Sequence, residues 1–147
     1  MAKWFGGVGL VPFMVLVLVW WSIRVAFYSK QRRDTNVAVQ RFHQSLNAGD
    51  FNKICEEAYG CTGSAALVRS GWNSVLQEVV GHAGKFQVVK SSDIKAYIEP
   101  FTVKANYVCS FEKTDVREIF ILKHSDDGQL RIVSYQTVTK GVGDAAQ

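Results

Sequence analysis

Residues 4–23, WFGGVGLVPFMVLVLVWWSI, run between Lys3 and Arg24 without a charge. At about 1.5 Å of rise per residue, a helix of that length covers roughly the 30 Å hydrocarbon core of a bilayer. A cleaved secretory signal has a shorter apolar core, about 7 to 15 residues, and small residues at its cleavage site. Here bulky Val25, Phe27 and Tyr28 follow the run. Trp4, Trp20, Trp21 and Tyr28 fall near its two ends, where amphipathic rings prefer the headgroup level. Gly6, Gly7, Gly9 and Pro12 would weaken a helix in water, but a helix in lipid keeps its other backbone groups paired. The reading is a single-pass anchor that stays attached, with residues 1–3 as a short tail before it.

The remainder of the 147 residues suffices for one domain with one core. Residues 1–33 hold five positive charges, Lys3, Arg24, Lys30, Arg32 and Arg33, and no negative one. The other 12 basic residues are matched by 13 acidic ones, so the domain is near neutral and an electrostatic case for nucleic-acid binding fails. A basic cluster beside an apolar span suits anionic lipid headgroups. Residues 24–35 are read as a basic linker, 36–139 as the domain and 140–147 as a frayed tail.

Helical periodicity opens the domain. Val39, Phe42, His43 and Leu46 share one face, Asn47-Ala48-Gly49 ends the helix, and Asp50 caps a second helix with Phe51, Ile54, Cys55 and Ala58 inward. Residues 60–63 form a loop, Ser64 caps a third helix bearing Trp72, Val75, Leu76 and Val79, and Gly81 to Gly84 closes it. The period then changes to two. Phe86–Val89 and Ile94–Ile98 read as short strands interrupted at Ser91-Ser92-Asp93 and stopped by Pro100. Phe101, Val103, Ala105, Tyr107, Cys109 and Phe111 alternate strictly with a wetter set, which gives a strand one buried face. Residues 112–115 turn it into Val116–His124, and Asp126-Asp127-Gly128 suits a hairpin loop leading into Leu130–Val138. Pairing Ser125 with Gln129 sets Leu122 beside Ile132 and Phe120 beside Ser134. It also sets Glu118 beside Cys109 and Gln136. The fold class is therefore α+β, with helices first and a run of antiparallel strands after them.

Three features carry a family resemblance: Phe42-x-x-x-Leu46-x-x-Gly49-Asp50-Phe51, the Gly71-Trp72 helix leading to Gly84-Lys85, and the hairpin Phe120-x-Leu122 to Asp127-Gly128-x-x-Arg131-Ile132. Together they make residues 36–138 resemble the nuclear-transport-factor-2-like, or cystatin-like, cone fold. After the transmembrane helix read from residues 4–23, the resemblance implies three helices packed on a curved antiparallel sheet. Bacterial membrane-anchored members of that class have a similar layout, as do the extracytoplasmic domains of type IV secretion scaffold subunits. That layout implies a cell inner membrane; the three-residue tail, which can remain on either side, and the cysteine usage favour a domain outside the cytoplasm. The charges after the span argue the other way, because positive flanks favour the cytoplasmic side.

Enzymes similar to this fold place a carboxylate, sometimes with a histidine, and a tyrosine inside the cone. The inward candidates in this chain are His43, Tyr107, Glu118, Ser134 and Gln136, with Phe120 beside Tyr107 lining any cavity for a small apolar ligand. A buried carboxylate with a neighbouring imidazole can move a proton, but the favoured reading puts Glu118 at the open, wet rim and His43 on the helix with its ring partly packed. No phosphate loop, nucleophile elbow or zinc-protease helix occurs, so no catalytic residue, cofactor or metal is assigned. Cys55 and Cys61 are close enough to pair in an oxidising compartment, or both remain thiols. Cys109 reads as a small core residue. The functional expectation is a non-catalytic, membrane-tethered interaction or scaffold domain. Its outer sheet face carries Thr102, Lys104, Asn106, Val108, Arg117, Ile119, Ile121, Val133 and Tyr135, and meets a protein partner or a second copy. A binder of a small apolar molecule and an isomerase- or dehydratase-like enzyme are the alternatives.

Overall fold

The computed structural model describes residues 10–58, 66–97 and 102–139. In chain order these form α1 (Leu10–Ala48), α2 (Phe51–Glu57), α3 (Ala66–Ala83) and strands β1 (Phe86–Tyr97), β2 (Thr102–Phe111), β3 (Asp115–His124) and β4 (Leu130–Thr139). The strands make one antiparallel sheet in the order β1-β2-β3-β4, each paired with its neighbour in sequence. The class is α+β, as the change of period predicts.

The linker expected at residues 24–35 is instead helical. α1 continues without a break for 39 residues, about 58 Å at helical rise, from the apolar run into the domain. Nothing in Arg24–Thr35 breaks a helix: the segment lacks Gly and Pro, and Gln31 and Thr35 are already buried against the domain. By length and composition the helix is apolar enough to cross a membrane, and residues 13–30 are exposed throughout. The first positions of the expected span, the third helix's Ser64 cap, Pro100 and both tails lie outside the described residues.

The first helical turn-around forms as the sequence predicts. Gly49 takes a positive φ of 70° just after α1, and the Asp50 carboxylate accepts from Lys53 N to cap α2. Ile54, Cys55 and Ala58 are buried behind it. Cys55 is disulfide-bonded and Cys109 is a buried free thiol. Cys61, the other half of the expected pair, lies outside the described residues. On α3, Leu76, Val79 and Ala83 face the core while Val75 stays exposed, so the buried stripe is narrower than expected.

Register shifts at three places correct the strand reading. β1 is one strand of 12 residues, because shifts after Phe86 and Val89 carry the ladder through Ser91-Ser92-Asp93, which pair with Val108, Tyr107 and Asn106. In β4 the expected Leu122–Ile132 pair is present, but the next pair is Ile121–Ser134, which leaves Val133 as an extra residue. Ile132 and Tyr135 are three apart, and only such an insertion turns both to one side. Phe120 therefore sits beside Tyr135, not Ser134, and Glu118 lies opposite Tyr107 and Thr137, not Cys109 and Gln136. The β3–β4 loop closes as predicted, with Ser125 N donating to Gln129 O at 2.9 Å and Gly128 at φ 76°. Hydrogen bonds from Ser125, Gln129 N and Arg131 hold the Asp127 carboxyl down at about 2.

At the end of α3, Gly84 has a φ of 78°, and a Cβ there would meet Glu112 Oε2 at 2.7 Å and Glu112 Cβ at 2.9 Å. That carboxylate accepts from Lys85 N, so it is not free to swing away. Gly84→Ala is expected to cost about 1–3 kcal/mol, read as a lower midpoint in denaturant at unchanged slope.

Candidate functional site

The residue that organises the interior is Glu118. Its position on β3, between Val116 and Phe120, puts it on the buried face of the sheet, and its side chain is 0 % exposed. An ionised carboxylate buried alone would be costly, so its partners decide whether the arrangement is stable. His43, on the inward face of α1, bonds Glu118 Oε2 through Nε2 at 2.7 Å, across 75 residues of sequence. Tyr135 donates its hydroxyl to Glu118 Oε1 at 2.7 Å. The Cys109 thiol, diagonal to Glu118 across the β2–β3 pair, also hydrogen-bonds to it. Both carboxylate oxygens are occupied, by groups from α1, β2 and β4. The His43 bond runs through Nε2 and leaves Nδ1, which makes no hydrogen bond among the described residues.

Aromatic rings close over this network. Phe86 stacks on His43 with centroids 3.8 Å apart and planes 4° from parallel. Phe120 is fully buried against Phe42, His43, Tyr107 and Tyr135. The cavity expected between Tyr107 and Phe120 is thus filled by the protein's own rings, with Trp72 in a parallel stack on Tyr135 at 6.5 Å. Tyr107 turns its hydroxyl away from the network and donates to Asn36 Oδ1 at 2.8 Å. Farther down α1, Gln31 donates to His124 Nε2 at 2.8 Å. These contacts tie α1 to the sheet along its lower half.

Of the six residues expected to face inward, the structure brings His43, Tyr107, Glu118 and Phe120 together and excludes two. Ser134 is half-buried beside Ile121 and Gln136 is exposed, because the Val133 bulge turns both to the other face. The same bulge moves Tyr135 from the expected outer face into the core. Strict alternation through β4 hides Tyr135; the signal that finds it is that alternation, kept intact, would bury Ser134 and Gln136 and expose a tyrosine. Cys109 was placed correctly as a core residue, but its bond to the carboxylate has no sequence signature.

His43, Cys109 and Glu118 also hold one nitrogen, one sulfur and one oxygen within 4.8 Å of one another, a donor set of the kind that suits a borderline cation. An ion there would have to break the His43 and Tyr135 bonds to the carboxylate and pass the stacked rings. The geometry is that of a closed hydrogen-bond network.

Burial first, and then the negative neighbour Glu118, pushes the Cys109 thiol and the Tyr135 hydroxyl well above their ordinary values. Tyr107 is raised by burial, with Cys109 and Glu118 adding to it and Arg32 opposing. Open beside the network lies a groove of about 580 Å³ between α1 and β1, lined by Asn36, Gln40, His43, Gln44, Phe86 and Tyr107 among others.

In comparisons with protein-family models, curated proteins and solved structures, none matched this chain.

Two outcomes test the network. Glu118→Ala leaves three buried donors without an acceptor and is expected to cost about 3 kcal/mol or more, whereas Tyr135→Phe, which empties one oxygen, costs about 1–2 kcal/mol. Chemical denaturation of both variants measures this. Because Cys109, Tyr107 and Tyr135 keep their protons in the folded state after the unfolded chain has lost them, stability is fully present below about pH 9 and falls as pH rises further. A denaturation series from about pH 8 to about pH 11 should decline through that window, less steeply in Tyr135→Phe.

Proposed function

We propose that this chain is a membrane-tethered interaction domain held at a fixed height and azimuth by its own anchor. The observation that carries the reading is the continuity of α1: the helix whose first half is apolar and exposed is the helix whose second half bears His43 and is locked to Glu118. A flexible tether would let the domain sample every orientation. A helix without a hinge, pinned at Gln31, Asn36 and His43, does not. Arg24, Lys30, Arg32 and Arg33 follow the apolar run on an exposed part of the helix, where they suit anionic headgroups.

Helices followed by a four-stranded meander support the nuclear-transport-factor-2-like cone as the domain's family, with a curved sheet wrapped on the helices. The disulfide at Cys55 supports a domain outside the cytoplasm, since reducing compartments do not keep such bonds. It weighs more than the positive flank, which is a statistical bias on insertion. The domain then stands on the outer side of a cell inner membrane. A non-catalytic role fits the sealed carboxylate, whose two oxygens leave no position for a substrate atom. The outer sheet face, with Lys104 and Arg117 exposed and Ile119, Ile121 and Val133 half-exposed, offers mixed basic and apolar contact area for a protein partner.

A photoreactive residue at Arg117 in native membranes tests this directly. It is expected to yield a defined crosslinked partner. Two alanines inserted after Ser29 rotate the domain by about 200° and should abolish or change that product, while four, about 40° in total, should largely preserve it. Crosslinks indifferent to both insertions would remove the rigid-stalk reading, and monomer alone at every outer-face position would remove the interaction reading.

A further inference from the structure

The groove between α1 and β1 has a lining that the interaction reading leaves unexplained. Its residues carry no carboxylate, ammonium or guanidinium. Its polar groups are mostly carboxamides, and they fall into two kinds. Asn36 and Asn47 are engaged, the first accepting from Tyr107, the second both accepting from Phe86 N and donating to Phe86 O. Gln40, Gln44 and Gln87 are exposed and make no hydrogen bond among the described residues. In the wall beside them His43 is 2 % exposed, with Nε2 committed to Glu118 and Nδ1 unpaired. That nitrogen is the polar atom of the ring left for a ligand, an acceptor in the neutral imidazole and a donor in the protonated one. Phe86 and Val89 add apolar surface.

This chemistry excludes most ligands. A charged group would lose water in the groove without gaining a counter-charge. An apolar molecule would strand the carboxamides. What remains is an uncharged chain bearing both donors and acceptors at a regular interval. Gln40 and Gln44 are one helical turn apart, about 6 Å along α1. An extended polypeptide presents backbone amide groups to one side every second residue, about 6.6 Å apart. The two spacings agree closely enough for successive carboxamides to meet successive peptide groups. β1 forms the opposite wall and is an edge strand of the sheet, but its two bulges break the regular ladder that a second copy of the same strand would need. The bulges disfavour self-pairing and leave the carboxamides as the main contacts.

We propose that the groove between α1 and β1 is a docking site for an extended, uncharged polypeptide segment of a protein partner, held by Gln40, Gln44 and Gln87 beside His43 Nδ1. This rests on the interaction reading and adds to the outer-face contact a second one, with its chemistry. It places recognition on the wall of the same helix that anchors the chain, on the opposite side of the sheet from Arg117.

The test is a random-peptide phage library selected against the full chain in lipid nanodiscs, with empty nanodiscs as counter-selection. Enriched peptides should contain an uninterrupted run free of Asp, Glu, Lys and Arg. The double substitution Gln40→Ala, Gln44→Ala should weaken them by about tenfold without lowering thermal stability, since both side chains are exposed. The His43 Nδ1 nitrogen resonance should shift on adding the best synthetic peptide. The proposal falls if nothing is enriched above empty discs, if the enriched run is charged, if the double substitution leaves binding unchanged, or if an oligosaccharide such as chitotetraose displaces the peptide from a wild-type groove that it occupies more tightly. Failure here with a persistent Arg117 crosslink would remove the groove and leave the interaction reading in place. Loss of both would remove both.

Discussion

A single carboxylate, Glu118, sets the terms for the rest of the interior. Buried without partners it would unfold the domain; with His43, Tyr135 and Cys109 donating to it, it becomes the point at which α1, β2, β3 and β4 are joined. Such a network contributes less to net stability than apolar residues of equal volume could. What it adds is discrimination: a helix shifted by one residue along the sheet would bring Gln44 or Phe42 to the carboxylate in place of His43. The aromatic rings around it are permissive about register, since Phe42 and Phe120 can pack in several ways. The hydrogen bonds are not.

That constraint explains why the exposed and buried halves of α1 belong together. The lower half is amphipathic in the ordinary sense, with Val39, Phe42, His43 and Leu46 inward and Gln40, Arg41 and Gln44 outward. The upper half is apolar on every side and touches nothing in the domain. No glycine, proline or unsatisfied turn separates them, so the pins that fix the lower half also fix the direction of the upper half.

Much of this was legible from residue order. The Gly49-Asp50 turn, the inward set on β2 and the Asp127-Gly128 hairpin follow from period and turn chemistry, which are local; the meeting of His43 with Glu118 does not, since a polar side chain near a strand end fits the wet rim better. The failures have two physical origins. Polarity at 24–35 suggested a linker, yet a charged segment without helix breakers continues a helix readily when both of its ends are already helical. The strand reading fails twice: at Ser91–Asp93, where shifts at Gln87 and Lys90 carry the ladder on through a polar stretch, and at Val133, where one inserted residue reverses inside and outside beyond it and leaves no compositional mark. Ser134, Gln136 and Tyr135 were misplaced together for that reason. The filled interior was not legible either, since whether Phe120 lines a cavity or plugs one depends on three other rings.

The sheet's connectivity also bears on how the chain is made. Every strand pairs with the one synthesised just before it, so the meander can zip up locally and fast. α1 has no such neighbour. Its histidine leaves the ribosome 75 residues ahead of the acid that will hold it. The helix must therefore wait, solvated on its lower face, until the third strand arrives. Any chaperone that escorts this protein has that half-dressed helix to guard.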